Sequence, residues 1–128
     1  MSETKALVAI KRSSAGLGLF AKKEFKKGET VIEYVGNKVL ATSEIENRYI
    51  FNVNKKWDID GSPRWNTARY INHSCRPNCE AVNRKDRIFI VAKKKIAIGE
   101  EITYHYGKGY ITSDYFSGGC RCAKCQTT

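Results

Sequence analysis

Six segments rich in β-branched and aromatic residues recur along the chain, and none exceeds six residues. They are ALVAI (6–10), TVIEYV (30–35), RYIFNV (48–53), TARYI (67–71), RIFIVA (87–92) and EITYHY (101–106). Runs this short fit strands, since an amphipathic helix needs about ten residues or more to show its period. Turn signals separate them: Lys27-Gly28-Glu29, Asp60-Gly61-Ser62-Pro63, Asn83 to Asp86, and Gly99-Glu100. One helix is predicted, ATSEIEN (41–47), with Thr42 or Ser43 as its N-cap. TARYI has a second reading as a short helical turn leading into Asn72. The pattern predicts a mostly-β domain of short strands and small sheets with few short helices. No apolar run is long enough to span a bilayer.

A chain of 128 residues suggests one domain with a modest core. MSETKALVAI lacks a basic segment followed by a long apolar one, so an intracellular, reducing setting is expected. The five cysteines are odd in number and clustered, Cys75 with Cys79 and Cys120 with Cys122 and Cys125. That arrangement suits metal ligation better than a disulfide framework. The formal charge is +10, with lysine clusters at 22, 23, 26 and 27 and again at 93–95. Such a surface attracts polyanions, although a solvated lysine face has the same composition.

GLGLFA (16–21) fits the dinucleotide pattern G-x-G-x-x-G/A, but Gly28 leaves no room for the long helix that use requires. What remains is a glycine turn, or a place where backbone approaches a ligand closely. CRCAKC (120–125) offers three thiols, and tetrahedral zinc wants four ligands. The fourth must come from elsewhere, with Cys75 and Cys79 the available thiols. In RYINHSCRPNC (69–79), His73 and Cys75 sit too close in sequence for an ordinary nucleophile–base pair, and no third orienting group is evident. Tyr34, Tyr49, Tyr104 and Tyr106 lie on three strand-like segments, with Tyr104 and Tyr106 on one face.

Taken in order, GLGLFA, EYVG (33–36), YIF (49–51), IDG (59–61), RYINHSCRPNC, GEEITYHY (99–106) and CRCAKC resemble the SET-domain protein-lysine methyltransferases. The resemblance implies the SET-domain fold, in which a C-terminal pseudoknot brings Asn72-His73 beside Tyr104–Tyr106. It implies a SET domain over 1–116 and a post-SET-like zinc-binding tail over 117–128. S-adenosylmethionine would be held by Gly16, Leu17, Gly18, Tyr49, Asn72, His73 and Tyr106, with Tyr106 the catalytic tyrosine. Tyr34 and Tyr104 would line the lysine channel. Cys75, Cys120, Cys122 and Cys125 would bind one structural zinc. His105 stands where the family commonly has an acidic or polar residue, and the tail spacing is tighter than usual.

The implied activity is methylation of a lysine in a protein substrate, a histone or another basic, nucleic-acid-associated protein. A tyrosine at 104 implies mono- or dimethylation. The alternative is a catalytically weak SET-fold binding module that acts with a partner, and a third is a basic zinc module on nucleic acid. No membrane partner is expected, and dimerisation is open as a way to complete the substrate groove. The setting is cytoplasmic for a bacterial source and nuclear for a eukaryotic or viral one.

Overall fold

The computed structural model describes residues 7–13, 16–42 and 49–105. The helix expected over 41–47, the tyrosine at 106 and the cysteine tail at 117–128 fall wholly or mainly outside the described residues. Ten strands follow one another: β1 Val8–Ser13, β2 Gly16–Ala21, β3 Thr30–Tyr34, β4 Asn37–Leu40, β5 Ile50–Asn52, β6 Trp57–Asp60, β7 Asn72–His73, β8 Cys79–Arg84, β9 Arg87–Ala92 and β10 Glu101–Tyr104. A 3₁₀ helix over Thr67–Tyr70 precedes β7, so TARYI forms a helical turn.

The strands make three small sheets, ordered β1-β2-β10-β7, β3-β9-β8 and β4-β6-β5. All pairings are antiparallel except β10 with β7, where Thr103 opposes Asn72 and Tyr104 opposes His73. The first sheet therefore unites three segments far apart in sequence, as the family resemblance implies.

One apolar cluster joins the sheets. Leu19 and Ile102, opposite each other on β2 and β10, are both fully buried. Ile88, Ile90 and Ala92 send one face of β9 into the same core, which also holds Phe25, Ile71 and Ile96. That alternation is what RIFIVA predicts for a strand with one face inward. The hairpin between β8 and β9 turns through Lys85 (φ 53°) and Asp86 (φ 65°). Two consecutive positive φ angles match the right-handed twist of the flanking strands. Asn83 Oδ1 accepts the Asp86 N–H at 3.0 Å and closes the turn.

The two lysine clusters meet on one face. Phe25 and Ile96 exchange both backbone hydrogen bonds at 2.9 Å, and the Gly28 N–H donates to the Ala92 carbonyl at 2.8 Å. Lys23 pairs with Glu29 and Lys95 with Glu24, each at 3.0 Å. Lys22, Lys26, Lys27, Lys93 and Lys94 are exposed around them. Among the described residues, no helix is long and apolar enough to cross a membrane.

Candidate active site

The site is built on the seam where β7, β10 and β2 meet. Asn72 is its hub. The two N–H groups of its amide Nδ2 are shared among three acceptors, the Leu17 carbonyl at 2.9 Å, Glu101 Oε2 at 2.9 Å and Ser13 Oγ at 3.0 Å. One side chain thus ties the glycine segment, the Asn-His segment and the Glu-Ile-Thr-Tyr strand together.

GLGLFA, read from sequence as a turn or loop, is a full strand here, paired along its whole length with β1. A Cβ added at Gly18 would collide with the Glu101 carboxylate and crowd Asn72 Nδ2. Gly18 is therefore fixed by close packing at the hub. Gly16 and Leu17 beside it are exposed, Leu17 at 53%, so the chain reaches the surface at 16–17, next to Asn72. Exposed backbone polar groups flanked by an oriented amide can hold a polar ligand such as S-adenosylmethionine.

The aromatic residues form a row. The Tyr34 and Phe51 ring centres are 4.6 Å apart, and those of Phe51 and Tyr104 5.8 Å. Tyr34 is 1% exposed, and its hydroxyl donates to the Tyr49 carbonyl at 2.8 Å. A side chain at Gly61 would strike the Tyr34 ring, which explains the glycine of IDG. Phe51 and Tyr104 line a cleft of about 520 Å³ together with Ile50, Pro77, Lys93 and His105. Tyr34 stands behind Phe51 and is not among the residues lining this cleft. Tyr49 receives the Arg69 guanidinium on its ring face at 4.6 Å.

Three residues of the site were missed by sequence reasoning. Asn78 is 4% exposed and locks the 74–78 loop onto β10. Its Nδ2 donates to the Glu101 carbonyl at 2.8 Å, and its Oδ1 accepts the Thr103 N–H at 3.0 Å. Asn66, fully buried, accepts the Val35 N–H and donates to the Gly61 carbonyl. Phe51 bridges the two tyrosines. Asn78 lies inside RYINHSCRPNC and Phe51 inside YIF, so position in a motif was the available signal. Asn66 had none.

Of the two candidate closing thiols, Cys79 is fully buried on β8, and burial, then Glu100 and Glu80, pushes its thiol up to about 12. It is an inert core residue. Cys75 is exposed. His73 Nε2 lies 3.4 Å from Cys75 Sγ, and the ligand atoms of His73, Cys75 and His105 are all within 4.8 Å of one another. Thiolate and imidazole are donors that suit zinc. The three tail cysteines lie outside the described residues.

The SET domain family model matches residues 16–107. Over 122 residues the chain is 38% identical to human histone-lysine N-methyltransferase 2D, covering 82% of this chain and 2% of that protein. It is 35% identical over 136 residues to the variant-silencing SET domain-containing protein of Plasmodium falciparum, covering 89% of this chain and 5% of that protein. It is 38% identical over 106 residues to the Schizosaccharomyces pombe histone-lysine N-methyltransferase that is H3 lysine-4 specific, covering 70% of this chain and 11% of that protein. The chain thus spans only a small part of these relatives' length.

Proposed function

The chain belongs to the SET-domain family, and from that premise we propose that it methylates a lysine side chain of a protein, with S-adenosylmethionine as donor. The observation that carries this reading is the parallel pairing of Asn72-His73 with Thr103-Tyr104, closed by Asn72 onto Leu17. It brings Leu17, Asn72 and His73 beside Tyr104, which supports the reading.

S-adenosylmethionine supplies an activated methyl group on a sulfonium. Gly16, Leu17 and Gly18, with Tyr49, Asn72 and His73, would hold it. Tyr106 follows Tyr104 on the same strand-like segment and is proposed to orient the lysine amine. That amine must be neutral to act as a nucleophile, whereas free lysine has a pKa of about 10.4. The aromatic rings of Tyr104 and Phe51, with Tyr34 behind, form the apolar part of the cleft, and an amine held against them would be shifted toward its uncharged form by desolvation. Alignment in such a channel is worth up to about 7–11 kcal/mol.

The Tyr104 hydroxyl takes space that additional methyl groups would need, so the products are mono- and dimethyl-lysine. Tyr104→Phe shifts the distribution to higher methylation states, measured by mass spectrometry of the product peptide; an unchanged distribution removes this role. Cys75 with Cys120, Cys122 and Cys125 would bind a structural zinc that folds the tail onto the site. The relatives' names and the merged lysine face support a chromatin substrate, a histone presented on nucleic acid in the nucleus.

The reaction is tested with methyl-labelled S-adenosylmethionine and separate histone, ribosomal and nucleoid protein pools. Wild type yields labelled methyl-lysine in the histone pool, and Tyr106→Phe abolishes it. Cofactor binding without transfer to any pool would support a binding module instead.

A further inference from the structure

AKKEFKKGET (21–30) and AKKKIAIGEE (92–101) share one backbone design and are bound to each other by reciprocal hydrogen bonds. Around the Phe25–Ile96 bridge, the Gly28 N–H donates to the Ala92 carbonyl and the Gly99 N–H to the Ala21 carbonyl, both at 2.8 Å. Gly28 (φ 91°) and Gly99 (φ 89°) close matching turns. In each turn the glutamate after the glycine accepts the N–H three residues back, Lys26 at 2.7 Å and Ala97 at 3.0 Å. The two segments thus form a pseudo-twofold unit with Phe25 and Ile96 buried at its centre. The symmetry ends at the turn tips, where Lys26 and Lys27 of one stand against Ala97 and Ile98 of the other. Because Gly28 is held by Ala92, the lysine-bearing turn sits beside Lys93 and Lys94, which gathers four exposed lysines at one end of the unit. Lys22 extends the charge toward the other end.

Glu24 and Glu29 do not offset this charge, since each is already paired, with Lys95 and Lys23. Among the described residues, Lys22, Lys26, Lys27, Lys93 and Lys94 make no ion pair. Like charges grouped this way repel one another, and a polyanion relieves the repulsion. The cluster also touches the candidate active site. The Lys93 N–H donates to the Asn78 carbonyl at 2.8 Å, and Lys93 lines the cleft with Phe51 and Tyr104. We propose that the 26–28 turn and Lys93–Lys94 form a docking surface for the phosphate backbone of duplex nucleic acid, ending at the rim of the cleft. Its bearing on catalysis rests on the methyl-transfer reading, while the binding itself does not. A duplex carries one charge per roughly 1.7 Å of its axis, so point charges spread over two adjacent turns each meet a phosphate. Phe25, the aromatic ring of the unit, is fully buried, so the surface gives unpaired bases nothing to stack on. Binding is therefore independent of base sequence, and the target lysine enters the cleft from beside the duplex.

The test measures binding of the full chain to a labelled short duplex of mixed sequence by fluorescence anisotropy. Affinity falls about 250-fold between about 50 and 200 mM salt, a log–log slope near −4 for four to five neutralised phosphates. Lys26→Glu, Lys27→Glu and Lys94→Glu together flatten the slope by about 2.7, whereas arginine at the same three positions keeps the affinity within about twofold. Brief amine acetylation, mapped by mass spectrometry, finds Lys26, Lys27, Lys93 and Lys94 protected by the duplex. Lys38 and Lys55, which belong to the β4-β6-β5 sheet and its hairpin, react as in the free protein. No binding at low salt overturns the proposal, as does equal slowing of acetylation at every lysine. Polyglutamate of matched charge that competes as well as unlabelled duplex overturns it in favour of an acidic protein partner. None of these readouts requires methyl transfer, so loss of binding and loss of activity are told apart.

Discussion

Asn72 shows how much one residue can carry. Its amide meets three acceptors on two other strands and the end of a third, at 2.9–3.0 Å. Asn72→Ala removes the bonds to the Leu17 carbonyl and the Glu101 carboxylate, at about 0.5–1.5 kcal/mol for each since water can reach both. Calorimetric titration should show S-adenosylmethionine affinity reduced about tenfold or more; affinity within twofold of wild type would contradict the hub. The two described thiols should also part in reactivity. In metal-stripped protein, brief alkylation followed by peptide mapping labels exposed Cys75 and spares Cys79 until the chain is unfolded. Modification of both at equal rates would refute the assignment of Cys79 to the core. At this scale the sequence was legible where a residue sat in a dense motif, as Asn72, His73, Cys75 and Tyr104 do. Asn66 was not, because its partners, the Val35 N–H and the Gly61 carbonyl, are backbone groups that only the fold brings near.

Among the elements, the strands rich in β-branched and aromatic residues were readable, β3, β9 and β10 most clearly. Those missed share a reason. β2 carries two glycines, β4 and β6 carry Asn37, Lys38 and two aspartates, and β8 is CEAVNR. None has strong intrinsic preference; each is a strand because a neighbour's ladder satisfies its backbone. The Thr67–Tyr70 turn reads as a strand by composition, yet its backbone bonds run Arg69 N–H to the Asn66 carbonyl and Ile71 N–H to the Ala68 carbonyl. The β8–β9 hairpin offers a test. Lys85 and Asp86 both hold positive φ, which costs a non-glycine residue on the order of 1 kcal/mol. Replacing the pair by Asn-Gly raises the calorimetric Tm by about 3–6 °C, since 1 kcal/mol shifts a domain of this size by roughly that much. A lower Tm would mean that the side chains at 85 and 86 stabilise the turn by interactions outweighing the backbone strain.

For the whole molecule, charge and topology act together. The +10 total was legible from composition, but the convergence of lysines 22–27 with 93–95 was not, because it depends on the Phe25–Ile96 bridge. Reversing Lys22, Lys26, Lys27 and Lys94 to Glu should weaken duplex binding and flatten its log–log salt slope by about 3–4, near 0.9 for each phosphate that a lysine no longer neutralises. Methylation of a free peptide should be unaffected, while that of a nucleic-acid-bound substrate falls; equal reductions on both would place the effect at the active site. The seam itself was legible only through the family resemblance, since nothing in local pattern predicts a parallel pairing of two residues with a distant strand. It is also the basis of the functional claim. Hydrogen exchange with and without S-adenosylmethionine tests it most directly. The account predicts slowed exchange at the amides of 16–18 and 72–73, with the lysine face unchanged. Protection confined to other segments, or none at saturating ligand, would contradict it.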